Sequence, residues 1–275
     1  MISYQEILEN FLLKKGYGNL TIEHLPGSSD SDVFRVGTEI YRVGPKIDID
    51  ASIRIYSRFQ QALANYQSVF PQIELVSKWN IAISRVEYIG KYSFEKLIQE
   101  LKLNLNDFDQ LNQINNEVLR QIRVLYDGSA KIEDSSQNKL FFKEILESFE
   151  INLNKANLSK RGLTFLKKMK KKLNECANAC IPSLAHKDLS VGNIIISDKD
   201  GSVKFIDPRI AVPYGSTSDA NGNVAIDIIG YYVSLLRKEL EFQKEYPTIS
   251  FQNAKERIES QIQQYIDEKA FTPRF

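Results

Sequence analysis

The stretch His186-Lys187-Asp188-Leu189-Ser190-Val191-Gly192-Asn193, with Ile206-Asp207-Pro208 downstream, decides how this chain is read. Between the two, the apolar runs Ile194-Ile195-Ile196 and Val203-Lys204-Phe205-Ile206 flank Ser197-Asp198-Lys199-Asp200-Gly201-Ser202. Short apolar runs on either side of such a segment predict a hairpin, with the Asp-Gly pair supplying the positive dihedrals of a tight turn. Asp188 and Asn193 then sit on the loop entering the first strand, and Asp207 follows the second. Pairing of the strands brings all three side chains to one end. Carboxylate and amide oxygens gathered in this way suit magnesium, a hard cation that keeps several of its waters. Taken singly, Asp and Asn are common turn residues; their combination with His186 and the hairpin is what carries information.

Upstream, Ser3 and Glu6 form a capping box ahead of Ile7, Leu8, Phe11 and Leu12, and Gly16 closes the pattern, which predicts an amphipathic helix. Strands are expected over Leu20 to Leu25, Val33 to Val36 and Glu39 to Val43, separated by Pro26-Gly27-Ser28-Ser29-Asp30-Ser31-Asp32 and by Gly37-Thr38. Ile55, Phe59, Leu63 and Tyr66 recur at helical spacing, so a helix is expected over about Ala51 to Tyr66. Two further strands, near Ile73 to Val76 and Ile81 to Tyr88, complete a five-stranded antiparallel unit that the Gly90 region closes.

Beyond it, Phe94 to Leu101, Phe108 to Tyr126, Lys139 to Leu153 and Leu163 to Ala179 read as helices, and two more follow the hairpin, over about Ala225 to Leu240 and Asn253 to Lys269. The fold class is α+β, with units at residues 1–89 and 90–275. Cys176 and Cys180 lie on successive turns of one helix face, where a metal site would need further soft ligands; reduced structural thiols are expected. Lys167-Lys168-Met169-Lys170-Lys171-Lys172 covers the face opposite Leu163, Leu166, Met169 and Leu173 and reads as a solvated helix face. A net charge of +1 drawn from 36 basic and 35 acidic residues gives no global field toward nucleic acid or an anionic membrane. With no membrane-length apolar run, the cytoplasm is the expected location.

The run from His186 to Asn193 resembles the H-R-D-L-x-x-x-N catalytic loop of protein kinases with its Asp-to-Asn spacing intact. It resembles still more the H-x-D-x-x-x-x-N and I-D-x pattern of the aminoglycoside phosphotransferase and choline kinase branch of the protein-kinase-like superfamily. That resemblance implies a bilobal fold, with an antiparallel sheet and helix in the N-terminal lobe and a mainly helical C-terminal lobe. It also implies transfer of phosphate from ATP (or GTP), with magnesium, to a hydroxyl of a small molecule. Asp188 would be the catalytic base, Asn193 and Asp207 the magnesium ligands, Asp227 a buried brace for the loop, and His186 a structural support.

For the nucleotide, the resemblance points to the loop holding Gly27, Ser28, Ser29 and Ser31, whose small residues let backbone N–H groups approach phosphates; an ordinary hairpin turn explains the same residues nearly as well. Val86-Glu87-Tyr88-Ile89-Gly90 resembles the inter-lobe hinge, where the Glu87 carbonyl and the Ile89 N–H would bond the adenine edge; an ordinary strand end is the alternative. Two departures stand out. Arg42 occupies the strand position where the family usually carries a phosphate-contacting Lys, and no acid lies between Ala51 and Ile73 to serve as the usual Glu partner. A catalytically silent nucleotide-binding or scaffold protein is therefore an alternative, and a protein kinase a lesser one, since no Ala-Pro-Glu segment follows Asp207. Carboxylates at Glu144, Glu147, Glu150, Asp219, Glu239 and Glu241 are candidates for recognising a cationic acceptor.

Overall fold

The computed structural model describes residues 2–18, 20–25, 31–101, 108–128, 183–208, 221–222, 224–247 and 249–268. Gly27, Ser28 and Ser29, both cysteines, the lysine run, Asp219 and the helices expected over Lys139 to Leu153 and Leu163 to Ala179 lie outside the described residues.

The chain opens with α1 (Tyr4–Lys14), whose capping box is complete: the Glu6 N–H donates to Ser3 Oγ, and Glu6 Oε2 accepts from the Ser3 N–H at 2.7 Å. Gly16, at φ 82°, ends it as the spacing predicts. Strands β1 (Ile22–Leu25), β2 (Asp32–Val36), β3 (Glu39–Pro45), β4 (Ile73–Lys78) and β5 (Ile81–Glu87) form an antiparallel sheet in the order β1-β2-β3-β5-β4.

Alternation along the strands gives this sheet two different faces. Phe34, Val36, Tyr41, Val43 and Ile83 turn outward beneath Leu8 and Leu12 of α1 and form a small separate core. Val33, Arg35, Ile40, Arg42 and Val86 lie on the other face, toward the rest of the molecule, where they line a cleft.

Helix α2 (Lys46–Ala62) starts five positions before the expected Ala51. The first residues, Lys46-Ile47-Asp48-Ile49-Asp50, alternate apolar and charged side chains with a period of two, which hides the helical spacing, while Pro45, which has no N–H to satisfy, is well tolerated where a helix begins. The longer helix includes Asp48 and Asp50, and Asp50 pairs with Lys46 one turn back. It stops at Ala62, and Tyr66–Val69 forms a separate short turn, α3.

After the sheet, β6 (Tyr92–Ser93) leads into α4 (Phe94–Leu101) and α5 (Phe108–Gly128). Strand β7 (Ser183–Leu184) pairs with β10 (Asn221–Gly222), and the hairpin of β8 (Ile194–Ile196) and β9 (Val203–Phe205) is joined by β6 in a three-stranded sheet. Only Gly201 of the Asp-Gly pair has a positive φ, at 69°. Asp200 serves the turn otherwise, accepting from the N–H and hydroxyl of Ser202. Helices α6 (Val224–Gln243) and α7 (Gln252–Asp267) pack with α5 around the larger core, which also takes in Ile55 and Phe59 of α2. Among the described residues no helix is long and apolar enough to cross a membrane.

Candidate active site

Two buried side chains fix the loop from His186 to Asn193. Asp227, one turn into α6, is fully buried and accepts the backbone N–H groups of His186 and Lys187, each at 2.7 Å. Lys187 can present its N–H in this way because its backbone turns to φ 68°, a conformation costly for a residue with a side chain. His186 is equally buried. Its Nδ1 accepts the Asp188 N–H, so the proton of a neutral ring sits on Nε2 and is donated to the Ile206 carbonyl at 2.7 Å. Burial pushes this imidazole down to about 4 and keeps it neutral. The same side chain thus ties the loop to the end of β9, where Asp207 follows.

Asp188 emerges from this anchored base with its side chain exposed. Its carbonyl accepts from Asn193 Nδ2 at 2.8 Å, which commits the amide N–H and leaves Asn193 Oδ1 as the oxygen for a cation. The Ile206 N–H donates to the Asn193 carbonyl, so Asn193 and Asp207 are neighbours across the hairpin mouth. Asp207 has φ 52°, and its N–H donates to the Tyr56 hydroxyl of α2. Among the described residues no cluster of three or more His, Cys, Asp or Glu could hold a metal. One carboxylate and one amide oxygen fit a magnesium ion that takes its remaining ligands from phosphates and water.

Opposite stands Arg42. Its Nη1 reaches Asp207 Oδ1 at 3.1 Å, and its Nε donates to the Oγ of buried Ser31 at 2.7 Å. Since the Asp207 side chain is 55% exposed, the pair contributes little to stability, on the order of 0–1 kcal/mol, and phosphate oxygens can take over the guanidinium. The cleft between Arg42 and Asp207 has a volume of about 410 Å³, and Glu87 and Ile89 form part of its wall. Arg42, Glu87, Ile89, Asp207 and the helix face of α2 therefore meet in one cavity. Ser31 backs Arg42, and Asp188 and Asn193 stand on the adjoining loop.

Sequence reasoning missed what α2 contributes. Ser52 and Tyr56, four residues apart and so on one face, both line the cleft. Burial raises the Tyr56 phenol well above its ordinary value, which leaves a neutral hydroxyl to accept the Asp207 N–H. The Ser52 hydroxyl is buried with no protein partner among the described residues. Both positions fall within the helix expected from the sequence, but the apolar spacing that marks it does not show which face meets the cleft. Of the acceptor candidates, Glu239 is instead a buried brace, bound to Lys255 and to the Phe251 N–H, and Glu241 pairs with Lys238. Glu144, Glu147 and Glu150 lie outside the described residues.

No family model and no curated protein matches the sequence. Solved structures do. The aminoglycoside phosphotransferase APH(3'')-Id from Streptomyces rimosus superimposes with a TM-score of 0.53 at 14% identity, covering 100% of both chains. Its complex with ADP and streptomycin gives 0.53 at 14% identity, over 94% of this chain and 97% of that one. The ternary complex of streptomycin, ATP and APH(2")-IIa gives 0.50 at 16% identity, over 98% and 91%. The chain has the bilobal, protein-kinase-like α+β fold of these aminoglycoside phosphotransferases.

Proposed function

We propose that this protein is a small-molecule kinase that transfers the terminal phosphate of a purine nucleoside triphosphate, with magnesium, to a hydroxyl group. The observation that carries the reading is the cleft in which Arg42 faces Asp207, beside a loop that two buried side chains hold in place. Phosphoryl transfer needs mostly positioning and charge compensation, and these residues supply both. Arg42 holds phosphate oxygens, Asn193 and Asp207 offer oxygens to the cation, and exposed Asp188 orients and deprotonates the acceptor hydroxyl. Bound magnesium would offset the charge on the phosphates. Residues 1–89 act as the nucleotide-binding lobe, with Gly27, Ser28, Ser29 and Ser31 near the phosphates, and residues 90–275 carry the catalytic loop and the acceptor pocket. The ADP and streptomycin bound to APH(3'')-Id support a nucleotide and a small polar acceptor here.

The test is phosphate transfer from labelled nucleotide to a panel of aminoglycosides, choline-like alcohols, sugars and natural-product intermediates. Asp188→Asn should retain nucleotide binding yet lose turnover by about a hundredfold to ten-thousandfold, the usual effect of removing a positioned base. Asp207→Asn should weaken nucleotide binding only when magnesium is present, because an amide is a poorer ligand for a hard dication. Wild-type turnover by Asp188→Asn on the acceptor so identified would overturn the assignment.

A further inference from the structure

The outer face of the N-terminal sheet carries a surface that the cleft does not use. Strands β4 and β5 are joined by Trp79 and Asn80, so the single tryptophan of the sequence stands in a hairpin turn, where Gly, Asn, Asp and Ser are the usual residues. Trp79 is 79% exposed and forgoes the burial through which an indole ordinarily stabilises a fold. Its base is anchored: the Asn80 carbonyl accepts the Lys46 N–H at the start of α2, at 3.0 Å.

Two grooves, of about 480 and 660 Å³, adjoin Trp79 and share Phe11, Lys14, Ser77 and Lys78 in their walls. Ile2, 69% exposed, lines the larger one. Lys15 lines the smaller one, with its ammonium 6.0 Å from the centre of the Phe11 ring. No carboxylate lines either groove among the described residues. Lys46 is held by Asp50, but Lys14, Lys15 and Lys78 are exposed and, among the described residues, none of the three pairs with an acid. On a chain whose net charge is only +1, this is a local concentration of positive charge around projecting apolar groups.

That combination matches the headgroup layer of an anionic bilayer. An indole settles at headgroup level, an isoleucine reaches the acyl boundary, and lysines meet the negative headgroups. A peptide would ask for the reverse relief, with apolar side chains recessed in a socket, whereas Trp79 and Ile2 project. Val76, Ile81 and Ile83, which line the grooves, belong to or pack on the outer core beneath α1, on the sheet face opposite Arg42 and Val86. A membrane engaged there leaves the cleft open. We propose that Trp79, Ile2, Lys14, Lys15 and Lys78 form a face that docks this protein on an anionic lipid surface. The proposal stands apart from the kinase reading.

Because Trp79 is the single tryptophan, its fluorescence reports on the site itself. Vesicles of phosphatidylcholine, alone or with about one-third phosphatidylserine, are added to the full chain at low salt, and emission and co-sedimentation are followed. Each lysine at an anionic surface favours binding about fivefold, so three should favour the mixed vesicles by on the order of a hundredfold, with a blue-shifted emission that salt reverses. Trp79→Ala should lower co-sedimentation severalfold, and the pair Lys14→Glu and Lys78→Glu should abolish the preference for mixed vesicles. All three side chains are exposed, so thermal melts and phosphate transfer in solution should stay at wild-type values. An unshifted emission with mixed vesicles, or co-sedimentation that survives both sets of substitutions, would overturn the proposal and leave the kinase reading untouched. A shift produced by an acidic, leucine-containing peptide and not by vesicles would also overturn it, in favour of a protein partner.

Discussion

Replacing Asp227 by Asn should tilt the pH dependence of folding stability, because the loop anchor holds two buried groups whose titrations oppose each other. Burial pushes the Asp227 carboxyl from its ordinary 3.8 up to about 7, against the pull of the two backbone N–H groups it accepts. The folded chain therefore holds this proton longer than the unfolded one. The contribution of Asp227 is full below 3.8 and is lost as pH rises to about 7. His186 runs the other way: lowered from 6.5 to about 4, it contributes fully above 6.5 and loses that contribution as pH falls to about 4. At about 1.4 kcal/mol per pH unit, Asp227 is worth about 4 kcal/mol across its window and His186 about 3 across its own, with opposite signs. In the wild type the two nearly cancel. In Asp227→Asn the His186 slope stands alone, so the deficit relative to wild type should be about 4 kcal/mol larger at pH 4 than at pH 7.5. His186→Asn should show the converse, with a deficit about 3 kcal/mol larger at the high end. Urea titrations at closely spaced pH values measure this, and subtraction of the wild type removes the other carboxylates. A deficit of Asp227→Asn that shrinks on acidification would show a carboxylate ionised throughout and refute the reasoning.

The remaining predictions concern the cleft. Gly90→Ala places a methyl 1.9 Å from the Ile196 carbonyl oxygen, so hinge or hairpin must shift; a thermal melt should show a loss of about 1–3 kcal/mol or more. Gly18→Ala, where a Cβ meets nothing within 4 Å, is the control. Arg42→Ala should raise the KM for nucleotide far more than that for acceptor, and Arg42→Lys should recover only part of the loss, because an ammonium cannot fork between Ser31 and Asp207 as the guanidinium does. An unchanged nucleotide KM in Arg42→Ala would move that role to Lys46.

Much of the site was legible in the order of residues because its parts are local. Asp188 and Asn193 lie on one loop, a short hairpin joins them to Asp207, and alternation of apolar runs with turn residues specifies such a hairpin at short range. The capping box of α1 and the five strands were visible for the same reason, each being set by neighbours a few positions away. What the sequence could not determine depends on groups far apart in the chain. Pairing of Arg42 with Asp207 and the Tyr56 hydroxyl on the Asp207 N–H arise from packing of distant elements, whereas the buried Asp227 brace beneath the loop was expected, though only from the family resemblance. The start of α2 was misplaced because Lys46-Ile47-Asp48-Ile49-Asp50 alternates apolar and charged residues with a period of two, and the cleft-facing role of Ser52 and Tyr56 depended on packing against distant elements. By itself the sequence determined which side chains are available for chemistry and the local elements that carry them. Only the tertiary structure decided which partners the backbone groups around Gln72 and Ile89 take. A backbone group carries no signature of its partner in the residue's name: the Gln72 N–H donates to the Glu87 side chain, and the Ile89 carbonyl accepts from Asp198, more than a hundred residues away.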